Sequence, residues 1–212
     1  MADLMDIAGP ILQGSLITVE LFTITIILSL LLGVLVALGK LSKIKPLRII
    51  LSFYTWAFRG TPLLLQLFFI YFGLPVIGIN LDPMVAAALA FTVNYGAYFA
   101  EIFRGGIENV DKGQFEAAKV LGMSYFQTMI KIIIPQALKS VIPPICNENT
   151  NLIKDTSLVA AIGVGDLLRG AKEGVMSDFT IFPFIIAAAM YLVLTSFMVF
   201  AFSKLEQKFN VY

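Results

Sequence analysis

Histidine is absent from the 212 residues, and cysteine occurs once, at Cys146. The usual nucleophile–base pairs and His/Cys metal sites therefore have no members here. What remains is a set of polar side chains in very apolar sequence: Glu20, Arg59, Asn94, Tyr98, Glu101, Asn147 and Glu148. Such groups suit reversible capture of a polar solute better than the making of bonds, and no pair of carboxylates is spaced convincingly for acid–base work. The stretch from Gly33 through Gly39 to Lys40-Leu41 superficially resembles a phosphate loop. It fails, because five residues separate the glycines where four are needed and leucine follows the lysine where serine or threonine is required. The chain thus has no nucleotide-hydrolysing loop of its own, and it is not read as an enzyme. A net charge of +1 gives no reason to expect a nucleic-acid partner.

The elements that must position these residues are membrane helices. The chain is 58% apolar and 14% charged, with mean hydropathy +0.89. Soluble domains hold about 25% charged residues. The apolar excess falls in blocks, and a spanning helix needs about 20 residues. Five spans are expected, over about Ser15–Leu38, Ile49–Phe72, Pro83–Phe103, Leu138–Ile153 and Phe179–Phe202, in a single all-α transmembrane domain covering 1–212. A short lead, residues 1–14, is expected to break at Gly9-Pro10. It carries Asp3 and Asp6 but no basic residue, the wrong head for a cleaved signal peptide. The Lys40–Arg48 linker holds four cations and no acid. Positive short loops mark the cytoplasmic side, so the N-terminus is expected outside. Lys204 and Lys208 then place the C-terminus inside.

Within the spans the polar residues carry alternatives. Glu20 either reaches water near a span end or lines a path. Arg59 either snorkels to the cytoplasmic face or packs inside the bundle, and Pro62 kinks the second span. The fourth span is short, interrupted by Pro143-Pro144 and loaded with the run Asn147–Asn151. It crosses only if that run faces protein or a water-filled cavity; otherwise it is a re-entrant or external loop. Lys154–Asp178 reads as external, with a short packed helix over Ser157–Ile162.

A polar interlude, residues 105–136, separates the third and fourth spans. Glu116, Lys119, Met123 and Phe126 share a helix face at three- and four-residue spacing. Ala117, Ala118, Leu121 and Gly122 give a small, smooth surface, and Pro135 is expected to halt the helical pattern. Periodicity leaves two readings, a helix that holds another protein and a helix lying on the membrane. The segment resembles the signature loop of bacterial ABC import permeases: EAA, three residues, glycine, nine residues, isoleucine, one residue, leucine, proline. Here it reads Glu116-Ala117-Ala118, Gly122, Ile132, Ile134, Pro135, departing only at Ile134.

The rest of the chain, about residues 12–208, resembles the polar amino-acid permeases of that superfamily. The matching stretches are Phe58–Gln66, Tyr95–Gly105 with Glu108, Pro135–Ala137 and Lys154–Leu158. The resemblance implies a five-span type I importer permease acting by alternating access. It implies a second permease subunit, read as identical, an extracellular solute-binding protein, and two cytoplasmic ATPase subunits that hold the ATP and Mg. This chain itself would bind no cofactor. A coupling helix near Gln114–Leu121 would dock on the ATPase, with Glu116, Ala117, Ala118, Lys119, Gly122 and Pro135 as its motif residues. The solute would be an amino acid. Glu148 leads the candidates for touching it, then Glu101, Asn94 and Tyr98, with Asn147, Arg59 and Glu20 behind. Two acids facing one cavity favour arginine, lysine or histidine. A Glu148 neutralised by Arg59 or Lys154 suits glutamine, glutamate or another polar amino acid. Glu148 in a purely helix-to-helix hydrogen bond is the structural alternative. An ATP-independent channel or carrier is disfavoured by the small size and the lack of an internal repeat.

Overall fold

The computed structural model describes residues 4–209, and every regular element among them is helical. Asp3 lies outside them, and Asp6 and Lys208 are described in backbone only. The elements are α1 (Leu4–Leu41), α2 (Lys45–Gly60), α3 (Leu63–Phe68), α4 (Pro83–Glu108), α5 (Lys112–Val120), α6 (Tyr125–Thr128), α7 (Ile134–Asp155), α8 (Leu167–Asp178) and α9 (Phe182–Phe209). A π turn and a 3₁₀ turn extend α3 to Ile77. A π turn over Met129–Ile133 joins α6 to α7, and a 3₁₀ turn over Thr156–Ile162 follows α7. Four of the resulting helices are long and apolar enough to cross a membrane, or five if the bent α2–α3 pair forms one span.

Prolines break this chain less than its sequence suggests. The break expected at Gly9-Pro10 does not occur, and α1 runs through it. Pro10 lies inside α1, where its ring removes one backbone hydrogen bond, and Gly170 packs against its carbonyl. Pro135 does not halt a helix either. The chain is helical from Tyr125 to Ile162 without interruption. The π turn just before Pro135 widens the helix and absorbs the missing N–H and the bulk of the ring. Pro143 and Pro144 also lie inside α7, which is held by α4 on one side and α9 on another. The fourth crossing is therefore a helix and not a re-entrant loop.

Pro62 does more than kink. Thr61 and Pro62 are extended, and α2 and the α3 segment meet at 107°. The second span is thus a true corner, and it begins earlier than expected, at Lys45.

The core lies where α1, α3, α4 and α7 meet, around Leu21, Leu67, Phe91, Phe99 and Leu152. Small residues on α4 (Ala86, Ala87, Ala90 and Ala97) are fully buried and bring the helices close. A second cluster joins Ile11, Leu167, Ala171 and Ala187, seating α8 across α1 and α9. The bundle has α5 at one end and α8 at the other.

At the α8 end, Asp166 is fully buried and caps α8, accepting from the backbone N–H of Leu168 and Arg169. The Tyr191 hydroxyl donates to it from α9 at 3.4 Å. Burial pushes the Asp166 carboxyl above its ordinary value, beyond what these donors offset. The folded state therefore keeps a proton that the unfolded chain releases. Stability is greatest below the ordinary carboxylate range and falls as pH rises through the window between the unfolded and folded values. Asp166→Asn, which still caps, is expected to flatten that slope. Asp166→Ala is expected to lose about 1 kcal/mol through the missing cap. Thermal unfolding in detergent between about pH 4 and 7 checks both.

Candidate functional site

The corner at Thr61-Pro62 leaves carbonyls at the end of α2 without helical partners. They are met by side chains. Gln66 Nε2 donates to Phe58 O at 2.9 Å and also reaches Thr61 O and Oγ1, at 3.1 and 2.8 Å. Asn94 Nδ2 donates to the same Phe58 O at 2.9 Å and to Gln66 Oε1 at 3.0 Å. Thr61 Oγ1 donates back to Ala57 O at 2.8 Å. This network explains the residue types in the Arg59-Gly60-Thr61-Pro62…Gln66 stretch. It also gives Asn94 a structural task, since its amide is committed to the corner.

Beside the corner lies a cavity of about 650 Å³, lined by Leu63, Asn94, Tyr95, Tyr98, Glu148, Asn151, Lys154, Asp155 and Leu158. Glu148, Asn151 and Asp155 stand three and four residues apart and so share one face of α7. Asn151 hydrogen-bonds Glu148, and Tyr95 OH donates to Asp155 Oδ2 at 2.7 Å. Across from them the Arg59 guanidinium lies over the Tyr98 ring, 5.3 Å from its centroid. Tyr98 OH points to the Arg59 carbonyl at 3.5 Å. The cavity offers two carboxylates and a lysine, with a guanidinium at its rim. That donor set can hold a molecule carrying both a cation and an anion.

The predicted residues divide. Asn94, Tyr98, Glu148 and Arg59 come together here. Asn147 is exposed on another face of α7, and Glu20 is exposed on α1; neither lines the cavity. Glu101 belongs to a separate ion-pair cluster. Lys40 of α1 pairs with it closely, Arg104 holds its other oxygen at 2.7 Å, and Thr55 of α2 donates to it at 2.9 Å. Arg104 also pairs with Glu108. Asp155, Asn151 and Tyr95 were not among the candidates, although Asp155 completes the i, i+3, i+7 face begun by Glu148. Ending the fourth span at Ile153 hid that periodicity.

The interlude forms a second surface. Asp111 caps α5, accepting from Gly113 N at 2.6 Å. At the other end Met123 N donates to Ala118 O and Gly122 N to Lys119 O, both at 3.0 Å, a Schellman closure. It requires the left-handed backbone of Gly122, at φ 73°, which a Cβ disfavours. Ala118 is fully buried, while Val120 and Leu121 are 88% and 77% exposed. Glu116, Ala117 and Lys119 are exposed beside them, and Tyr125 and Phe126 extend the apolar patch. Pro135 is exposed too, two turns further on. The α5 unit rests on Val110, Met129, Ile133 and Ala137 through Phe115. Among the described residues no group of three metal-ligating side chains occurs.

A helical membrane bundle with a charged cavity at a broken helix and an exposed apolar surface at one end has the form of a transport subunit. The chain belongs to the binding-protein-dependent transport system inner membrane components, whose family pattern matches residues 29–211. It is the non-catalytic permease subunit of an amino-acid ABC importer, and its relatives are permeases in turn. The putative glutamine transport system permease of Rickettsia bellii is 43% identical over 203 residues, spanning 95% of this chain and 93% of that protein. The arginine transport system permease of Bacillus subtilis is 41% identical, over 93% of this chain and 91% of that one. The L-cystine permease of the same organism is 44% identical over 77% and 70%. A solved amino acid ABC transporter with histidines matches with TM-score 0.90 at 37% identity, covering 98% of this chain and 99% of that one. The methionine transporter MetNI shares the fold, with TM-score 0.77 at 19% identity.

The Glu101 cluster is expected to hold α1, α2 and α4 together. Lys40 and Glu101 are largely buried, and a charge-assisted hydrogen bond contributes about 1.5–3 kcal/mol. Lys40→Met is expected to lower stability by that order, and adding Glu101→Gln is expected to recover part of the loss. A double-mutant cycle on thermal stability in detergent reads the coupling.

Proposed function

We propose that this chain carries a basic amino acid (arginine, lysine or histidine) into the cytoplasm. The observation that carries this reading is the pairing of Glu148 and Asp155 on one face of α7, inside the cavity. Two carboxylates there favour a solute with a second cation. Arg59, over the Tyr98 ring at the rim, suits the α-carboxylate. A neutral polar solute such as glutamine is the second reading. Lys154 in the same cavity favours it, because one lysine cancels one of the two acids.

The proposed orientation puts the α8 end outside and the α5 end in the cytoplasm. The Lys40–Arg48 charge bias supports it. Two copies of the chain face each other, two ATPase subunits holding ATP and Mg meet the α5 surfaces, and a solute-binding protein docks on the α8 end. The exposed Val120, Leu121, Tyr125 and Phe126 beside the Glu116-Ala117-Ala118 turn support α5 as the ATPase contact. ATP binding draws the two α5 helices together and opens the cavity outward. Hydrolysis returns it inward. The solute shifts this equilibrium only through its different affinity for the two states.

The test is uptake into proteoliposomes holding the permease, ATPase and binding protein, across a panel of amino acids. Arginine or lysine uptake is expected, falling about tenfold or more in Glu148→Gln/Asp155→Asn with glutamine uptake unchanged. Uptake of glutamine but not of arginine or lysine, or arginine and lysine uptake that ignores both substitutions, would sink the basic-solute reading. Uptake without the ATPase would point to a channel or carrier. Gly122→Val, strained at its positive φ by about 1–2 kcal/mol, is expected to weaken ATPase association while leaving solute binding intact.

A further inference from the structure

A second cleft of about 540 Å³ opens on the α5 side of the cavity. It is lined by Lys40, Arg48, Arg59 and Arg104 against only Glu101 and Glu108, with Ser52, Thr55 and Trp56. Both glutamates are already neutralised. Glu101 is held by Lys40 and Arg104, and Glu108 by Arg104. Among the described residues, neither Arg48 nor Arg59 lies within ion-pair distance of a carboxylate. The cleft is therefore a cationic space with two guanidiniums unspent. They stand eleven residues apart on α2, three helical turns along one face, with Ser52 and Thr55 between them.

The cleft and the cavity meet at one contact. Arg59 lines the cleft, yet its guanidinium stacks on Tyr98, which lines the cavity. Tyr98 and Glu101 are one turn apart on α4, so the same helix face runs from one space to the other. Along that line the surplus charge changes sign, from Glu148 and Asp155 against Lys154 in the cavity to Arg59 and Arg48 in the cleft.

We infer that the basic cleft is an exit site for the amino acid, in which Arg48 takes over the α-carboxylate from Arg59 on the way to the cytoplasm. This rests on the functional reading above. A guanidinium recognises a carboxylate with two parallel, charge-assisted hydrogen bonds, so the same end of any amino acid is handed inward. The solute leaves carboxylate first. The site is occupied from the cytoplasmic side when the amino acid is abundant there, and occupation then slows the next cycle. An acidic phospholipid headgroup carries the same oxyanion chemistry and is the competing occupant.

The experiment uses the full complex in proteoliposomes enclosing ATP, preloaded with increasing amounts of the transported amino acid or of its carboxamide. Wild type is expected to be inhibited by the enclosed amino acid, and about fivefold or more weakly by the carboxamide. Arg48→Gln, with inhibition scored relative to its own uptake into empty vesicles, is expected to need about fivefold more enclosed amino acid for half-inhibition. Its response to the carboxamide is expected to be unchanged. Arg48→Lys, which keeps a charge, is expected to fall between. Equal inhibition of wild type and Arg48→Gln, equal potency of acid and amide, or no inhibition of wild type overturns the proposal. An Arg48→Gln effect that vanishes in purely zwitterionic lipid assigns the cleft to a headgroup and overturns it as well. If wild type takes up no amino acid at all, the functional reading fails first, and the exit site falls with it.

Discussion

A chain that crosses hydrocarbon cannot leave a backbone carbonyl bare, and the corner at Thr61-Pro62 would leave several. Unsatisfied groups there cost several kcal/mol each, by order of magnitude. The amides of Gln66 and Asn94 meet that demand from α3 and α4. Because they do, α2 can end inside the bundle and swing away, and the cavity exists beside its end. Polar residues that look like solute contacts in the sequence are partly the means of making a hole at all. The carbonyl end of α2 is also the negative end of its dipole, which adds to the preference for cations set by the carboxylates of α7.

The charged residues sort by depth rather than by type. Glu148 and Asp155 line the cavity, while Glu101, further toward the α5 end, is locked by Lys40, Arg104 and Thr55. That lock spans three helices, so it fixes how α1, α2 and α4 meet. Arg48 and Arg59 line the basic cleft, and among the described residues neither lies within ion-pair distance of a carboxylate. A zwitterion placed between these regions has a defined direction.

Much of this was legible in the chain itself. The apolar blocks, the all-helical class and the Glu116–Gly122 spacing came from local pattern, which membrane helices express strongly because each satisfies its own backbone. Glu148 and Arg59 stood out because ionisable residues in a span are rare. Glu101 stood out for the same reason, but the ion pair with Lys40 that holds it was not visible, since Lys40 lies sixty-one positions away. The prolines misled. Propensity reads Pro10, Pro135 and Pro143-Pro144 as stops, yet packing and a π turn carry the helix through each. Only Pro62 stops it, where neighbouring amides are in place to receive the freed carbonyls. Asp155 was missed because the span was ended two residues too soon.

The absence of any loop between Tyr125 and Ile162 has a mechanical consequence. The segment begins against the exposed α5 platform and passes Glu148 on its way to the far end. At 1.5 Å per residue that is about 35 Å from Tyr125 to Glu148. A push on α5 therefore arrives at the cavity wall as the tilt of one continuous helix, whose regular bonding is interrupted at the π turn over Met129–Ile133 and at Pro143-Pro144.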